Sequence, residues 1–272
     1  MSIIRRSAAS LAVAVLATAA LPASANMRAP KVRPEPPSSA LHRAGGDLVA
    51  LGERLALDCT VEECRIEAVY RVRAAAAASY AFEFILPARV AVTVQAGGET
   101  LPVDLAAAEP DALHAPPLTS EFGIALRPPA GTLYAARFTA RLPAGESTIV
   151  VRYAQRTTAW EAKYGYFTKS RFLHALQYEL WPLAEWPLAP DFALDLDVRL
   201  ARPAPGLWTR LFGTPLALGC SVYETVEGRP ARRTAGPARQ DGDRVVVTAR
   251  LAAPVPERLM CHIGDQDLLP EK

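Results

Sequence analysis

The residues best equipped for chemistry in this 272-residue chain are few and scattered. Asp195 and Asp197 stand two apart in an alternating run, which puts both carboxylates on one face of a strand. Such a pair can bind a cation or perform acid–base work, and together with His174 it would make the centre of a metal-assisted hydrolase. The plainer reading is a solvated strand face, because the alternation alone accounts for both acids. His174 would act as a general base only beside a nucleophile and an orienting acid, so a structural or surface role is simpler. Glu62 and Glu63 are adjacent, point apart, and suit a hairpin turn. The chain contains no G-x-S-x-G elbow, H-E-x-x-H pair, P-loop or G-x-G-x-x-G turn. The sequence therefore carries no catalytic constellation, and no cofactor is expected.

Two other groups of residues suit recognition. Trp160, Tyr164, Tyr166, Phe167, Phe172, Tyr178, Trp181, Trp186 and Phe192 fall close together, in a chain with eight Phe, four Trp and eight Tyr in all. Flat rings stack on sugars or anchor partner proteins, but they also fill the space between sheets. Core packing is the better account of most of them. Trp181, ending a strand that leads to Pro182, and Trp186, before Pro187 in the following loop, are the best candidates for exposed ligand-binding platforms, as in a carbohydrate-binding module or hydrolase accessory. Arg229, Arg232, Arg233 and Arg239 could hold acidic polymers or phosphate groups. Acidic neighbours interleave with them at Glu224, Glu227, Asp241 and Asp243, and the chain prefers Arg to Lys throughout, so this cluster is expected without a ligand.

Positioning these side chains begins with the compartment. Residues 1–25 have Arg5 and Arg6 before an apolar run from Leu11 to Leu21, then Ala23-Ser24-Ala25 ahead of Asn26, the layout of a cleavable export signal. The apolar run is short of the ~20 residues a membrane span needs. Loss of Arg5 and Arg6 from 30 basic residues leaves 28 against 28 acidic ones, so the mature chain is formally neutral. Nucleic acid is therefore disfavoured as a partner, and no membrane span is expected after cleavage. The expected location is the periplasm or the medium. Four Cys suit that compartment as two disulfides. Of the three connectivities possible, Cys59–Cys64 with Cys220–Cys261 is favoured. A metal site is disfavoured by the wide Cys spacing and the scatter of His42, His114, His174 and His262.

Residues 26–46 are Pro-rich around Arg28–Ala40 and read as a linker, with folded structure starting near Asp47. From there the pattern has period two. Even positions from Cys64 to Val72 are apolar and the odd ones charged except Val69. Tyr80, Phe82, Phe84 and Leu86 repeat it. Val90, Val92 and Val94 run to Gly97-Gly98, and Leu101, Val103 and Leu105 return, which is a hairpin. Tyr134–Leu142 and Thr148–Tyr153 read as strands joined by a Pro143-Ala144-Gly145 turn. Phe192–Leu200, Leu216–Val226 and Arg244–Leu251 complete the set. Short helices are expected at Asp104–Leu113, Lys169–Leu176 and Gly206–Phe212. The fold class is all-β: antiparallel, Ig-like sandwiches in two lobes, 47–155 and 156–265, with a tail at 266–272. One elaborated sandwich is the alternative.

The strands from Leu55 to Val72, then Phe82-Glu83-Phe84-Ile85-Leu86-Pro87, resemble the opening of a family of exported bacterial β-sandwich proteins of unknown function. Phe138–Tyr153, with Leu142-Pro143-Ala144-Gly145, resembles its later hairpin. Gln177-Tyr178-Glu179-Leu180, Trp186 and the strand Phe192–Leu200 resemble its Y-x-L strand, Trp-Pro loop and hydrophobic strand. The resemblance implies a cell-envelope sandwich and supplies no active-site positions. The expectation is a non-enzymatic envelope protein that binds a protein or polymer through a sheet surface.

Overall fold

The computed structural model describes residues 27–33, 35–44, 47–108, 133–164, 171–203, 216–226 and 229–265. Residues 1–25, read as an export signal, and the 266–272 tail lie outside the described residues. In chain order the strands are β1 (Met27–Arg33), β2 (Ser38–Ser39), β3 (His42–Ala44), β4 (Leu48–Cys59), β5 (Glu63–Ala74), β6 (Ala78–Leu86), β7 (Val92–Ala96), β8 (Glu99–Leu101), β9 (Asp104–Ala107) and β10 (Tyr134–Leu142). They continue as β11 (Gly145–Arg156), β12 (Thr158–Tyr164), β13 (Arg171–Glu179), β14 (Ala193–Ala201), β15 (Ala217–Val226), β16 (Arg229–Thr234), β17 (Ala238–Asp241), β18 (Arg244–Ala252) and β19 (Arg258–Gly264). Among the described residues the one helical element is the 3-10 turn Trp181–Glu185. The expected helix at Asp104 starts as β9, and the described part of the one at Lys169 is β13, so ladder pairing overrides the weak helical preference of these segments. The third, Gly206–Phe212, lies outside the described residues.

The strands form three sheets. An eight-stranded sheet has the order β17-β18-β14-β4-β5-β11-β7-β8, a four-stranded sheet β3-β6-β10-β9, and a seven-stranded sheet β1-β12-β13-β19-β15-β16 with β2 added to β13. In the eight-stranded sheet the period-two pattern sorts the faces. Leu55, Leu57, Ile66, Ala68, Ile149, Val151, Leu196 and Val198 are buried, while Arg54, Arg65, Arg152 and Arg199 point to solvent. Phe82 and Phe84 bring the four-stranded sheet onto the inner face, Phe82 stacking on Trp186 and Phe84 packing at a tilt against Tyr153. Leu176, Tyr178, Val222, Leu259 and Ile263 bring the seven-stranded sheet into the same continuous core.

Three expectations are corrected here. First, the halves on either side of residue 155 are not separate lobes. β4 pairs in parallel with β14 from Leu194↔Glu53 to Leu200↔Cys59, so strands from both halves build one sheet. Alternation tells which face of a strand is buried but not which strand lies beside it. The all-β class holds with mostly antiparallel pairing, and the β4–β14 and β2–β13 ladders are parallel. Second, Tyr134–Leu142 and the strand after Gly145 are not a hairpin: β10 pairs with β6 and β9, while β11 pairs with β5 and β7. Gly145, at φ 97°, turns a corner between sheets. Third, the segment read as linker contains β1, β2 and β3, and Ser38, Ser39, Ala40 and Leu41 are all buried. The Pro residues that suggested a linker flank a strap that threads between sheets.

The glycine turn at 97–98 and the two cystines are as expected, but the strand returning from that turn ends at Leu101, and Leu105 lies on β9 in the four-stranded sheet. Gly97 and Gly98 take positive φ in the two-residue turn that joins β7 to β8. Cys59–Cys64 closes the β4–β5 hairpin and Cys220–Cys261 crosslinks β15 to β19.

Candidate functional site

The structure separates the residues that sequence had grouped. Asp195 and Asp197 share the outer face of β14, where Asp195 pairs with Arg250 at 3.1 Å and Asp197 with Arg199 at 3.8 Å. His174 lies in a different sheet, on β13, edge-on to Phe172. Burial, and secondarily the Arg33 charge, hold its imidazole below the usual histidine range. No group of three or more His, Cys, Asp or Glu that could hold a metal occurs among the described residues. The hydrolase centre is thus not assembled.

Trp186 is only 4% exposed; its indole N–H donates to the Leu41 carbonyl at 3.0 Å and its ring stacks on Tyr70 and Phe82. It is a core residue and not a stacking platform, because the turn Trp181–Glu185 folds the chain back over the sheet. Trp181 is half-buried, bonded through its N–H to the Glu179 carboxylate and edge-on to His42. Trp160, Tyr178 and Phe192 are buried as core side chains. The Arg cluster is divided between two sheets: Arg232 donates to Ser221 and Arg233 pairs with Glu224 on the β15–β16 side, while Arg239 lies on β17.

Polar groups converge at the surface and in the interior. On the surface, a hollow of about 720 Å³ on the four-stranded sheet is lined by Glu83, Asp104 and Arg137, the last already paired with Glu83, and another, of about 610 Å³, lies on the outer face of the eight-stranded sheet. It belongs to the size range of small-molecule sites. Register builds it. Asp197, Ala56, Glu67 and Arg152 form one row across β14, β4, β5 and β11; Arg199, Asp58, Arg65 and Ala154 form the next. Glu67 accepts from Arg54 and, at 2.7 Å, from Arg152, whose Nη1 also donates to Gln95 at 2.9 Å. Asp58 is drawn toward Arg244 on β18. The Arg65 side chain, exposed between Asp58 and Ala154, takes part in no hydrogen bond or ion pair among the described residues. The small side chains Ala56, Ala91 and Ala154 leave room between the charges. Arg54, Arg65, Arg152 and Arg199 face Asp58, Glu67 and Asp197, an excess of one positive charge. Solvated pairs of this kind contribute about 0–1 kcal/mol each, so the array adds little to stability.

The interior group is one that the sequence reading missed. On β4 the inward parity that carries Leu55, Leu57 and Cys59 begins with Glu53, after a bulge between Ala50 and Gly52. Glu53 is 2% exposed and neither carboxylate oxygen has a hydrogen-bond partner. Burial pushes its carboxyl up to about 8, against a smaller opposing pull from the Tyr70 hydroxyl. Tyr70 accepts the Leu41 N–H at 3.1 Å and shares a hydrogen with Tyr178 at 3.2 Å. Tyr153 donates to Ser38 at 2.8 Å, and Ser39 accepts the Ile85 N–H. Burial raises all three of these phenols. The signal was available: an acid on the same parity as three core residues.

No family model matches the chain, and no curated protein matches it significantly. Among solved structures, one similar in fold is described as a putative nutrient binding protein from Legionella pneumophila subsp. pneumophila str. Philadelphia 1. The TM-score is 0.50 at 11% identity, over 85% of this chain and 72% of that one. Yeast LTA4 hydrolase, native and with bestatin, aligns at 8% identity with TM-scores of 0.36 and 0.34 over 79% of this chain. This chain spans less than a third of the yeast enzyme, 28–29% of its length. At these identities the likeness to the Legionella protein is one of fold, and the yeast alignments carry no argument.

Proposed function

We propose that this is a non-enzymatic exported envelope protein that binds a protein or polymer through the outer face of its eight-stranded sheet. The observation that carries the reading is the hollow itself: an exposed, charge-lined concavity spanning β14, β4, β5 and β11, whose ion pairs do little for stability. The two cystines support an oxidising compartment, and no described helix is long and apolar enough to cross a membrane. The nutrient-binding description of the Legionella protein agrees with a ligand-binding role.

The test is capture from envelope extracts with protein blocked on one face. Ala56→Trp and Ala154→Trp fill the hollow, while Arg233→Glu alters the β15–β16 side of the molecule. A defined partner retained by the parent and by Arg233→Glu, and lost with both Trp variants, is the expected result. A partner insensitive to both Trp variants, or turnover of a small substrate without any partner, would overturn the reading.

A further inference from the structure

We propose that the hollow is an oxyanion site centred on Arg65, which takes a carboxylate or phosphate carried by the partner. The inference rests on the reading of this face as the binding surface and names the chemistry it recognises. Arg65 has the donor fork that matches planar or tetrahedral oxyanions two bonds at a time, and none of its five N–H groups is used among the described residues. Its row explains why. Asp58, its neighbour on β4, is drawn to Arg244; its neighbour on β11 is Ala154, which has no polar group to offer.

The surrounding charges favour an anion over a cation. Each acid in the hollow is already matched: Glu67 by Arg54 and Arg152, Asp58 by Arg244, Asp197 by Arg199. An incoming cation would have to displace a guanidinium, whereas an oxyanion meets one that is free. Arg152, one pair further along β11, lies diagonal to Arg65, a separation of roughly 7–8 Å in an antiparallel pair and within reach of two long side chains. Glu67 and Gln95 each accept one of its N–H groups, so it keeps donors for a second oxygen. Ala56 and Ala154 provide an apolar floor for the carbon skeleton behind the charged group.

The experiment titrates the ¹⁵N-labelled protein with sodium pyrophosphate and, separately, citrate at low ionic strength, following guanidinium N–H and backbone signals. Saturable shifts on β4, β5 and β11 are expected, weakened about tenfold by Arg65→Met, as the loss of one charge-assisted pair implies, and unchanged by Arg233→Met. A response to pyrophosphate alone identifies a phosphate group, to citrate alone a carboxylate, and to both the shared chemistry. No saturable shift with either anion, or equal affinity in Arg65→Met, overturns the inference. Envelope capture separates the two claims. A partner lost with Ala154→Trp but kept with Arg65→Met would preserve the binding face and overturn the oxyanion site.

Discussion

Strand β4 presents Arg54, Ala56 and Asp58 to water and Glu53, Leu55 and Leu57 to the core, so one carboxyl is buried with no hydrogen-bond partner on either oxygen. Its energetics follow from the shift to about 8. Below pH 4.5 the group is neutral in both the folded and the unfolded chain and does not bias folding. Between 4.5 and 8 the unfolded chain ionises while the folded one stays protonated, so stability falls as pH rises and levels off above 8. The slope from this group is about 1.4 kcal/mol per pH unit, or roughly 5 kcal/mol across the window. Glu53→Gln mimics the protonated acid without titrating. Its stability relative to the parent should grow with pH, reaching about 3 kcal/mol in its favour near pH 7. Urea unfolding at pH 4, 6 and 8 checks this, and parallel pH profiles for the two proteins would disprove it. The residue was legible in principle: its type and parity are both in the sequence. What the sequence lacks is the partner geometry around Tyr70 and Tyr178, which comes from segments 17 and 125 positions away.

At the scale of elements, the period-two runs show why the strands were readable and the strap was not. Cys64–Val72 buries alternate residues because one face of β5 packs on the core, and that regularity is local. Residues 35–44 have no such period, because β2 and β3 are two and three residues long and most of the segment is held by distant groups. Tyr153 donates to Ser38, Gln155 to the Pro36 carbonyl, Trp186 to the Leu41 carbonyl, and Leu41 donates to Tyr70. Proline between such anchors keeps the strap extended and removes donors that would otherwise need partners. Leu41→Ala separates a strap from a linker. Leu41 is 1% exposed, so the truncation should cost roughly 2–5 kcal/mol, the range for buried Leu. A linker residue would lose almost nothing. The shift of the urea midpoint at unchanged slope measures it, and a change under 0.5 kcal/mol would contradict the buried placement.

For the whole molecule, the decisive link is the parallel β4–β14 ladder, which no sequence period encodes. It joins residues 53–59 to residues 194–200 and merges the halves around residue 155 into one core. A boundary that looks natural on counting strands is therefore absent from the packing: Leu55 and Leu57 are buried in the same cluster as Leu196, Val198 and Leu200. The two cystines each lie inside one half and do not couple them, since they close loops of 5 and 41 residues. By loop-closure entropy these are worth about 2 and 4 kcal/mol at most. Coupling between the halves thus falls to the ladder and the shared core, and unfolding should be one cooperative event. Scanning calorimetry should give a single transition whose calorimetric and van't Hoff enthalpies agree, and reduction should lower its midpoint without splitting it. A chain divided at 155 should yield fragments that fold together on mixing but not separately, because each alone exposes the ladder edge of β4 or β14 and its part of the shared core. Two independent transitions, or a well-folded 156–265 fragment, would restore the two-lobe arrangement.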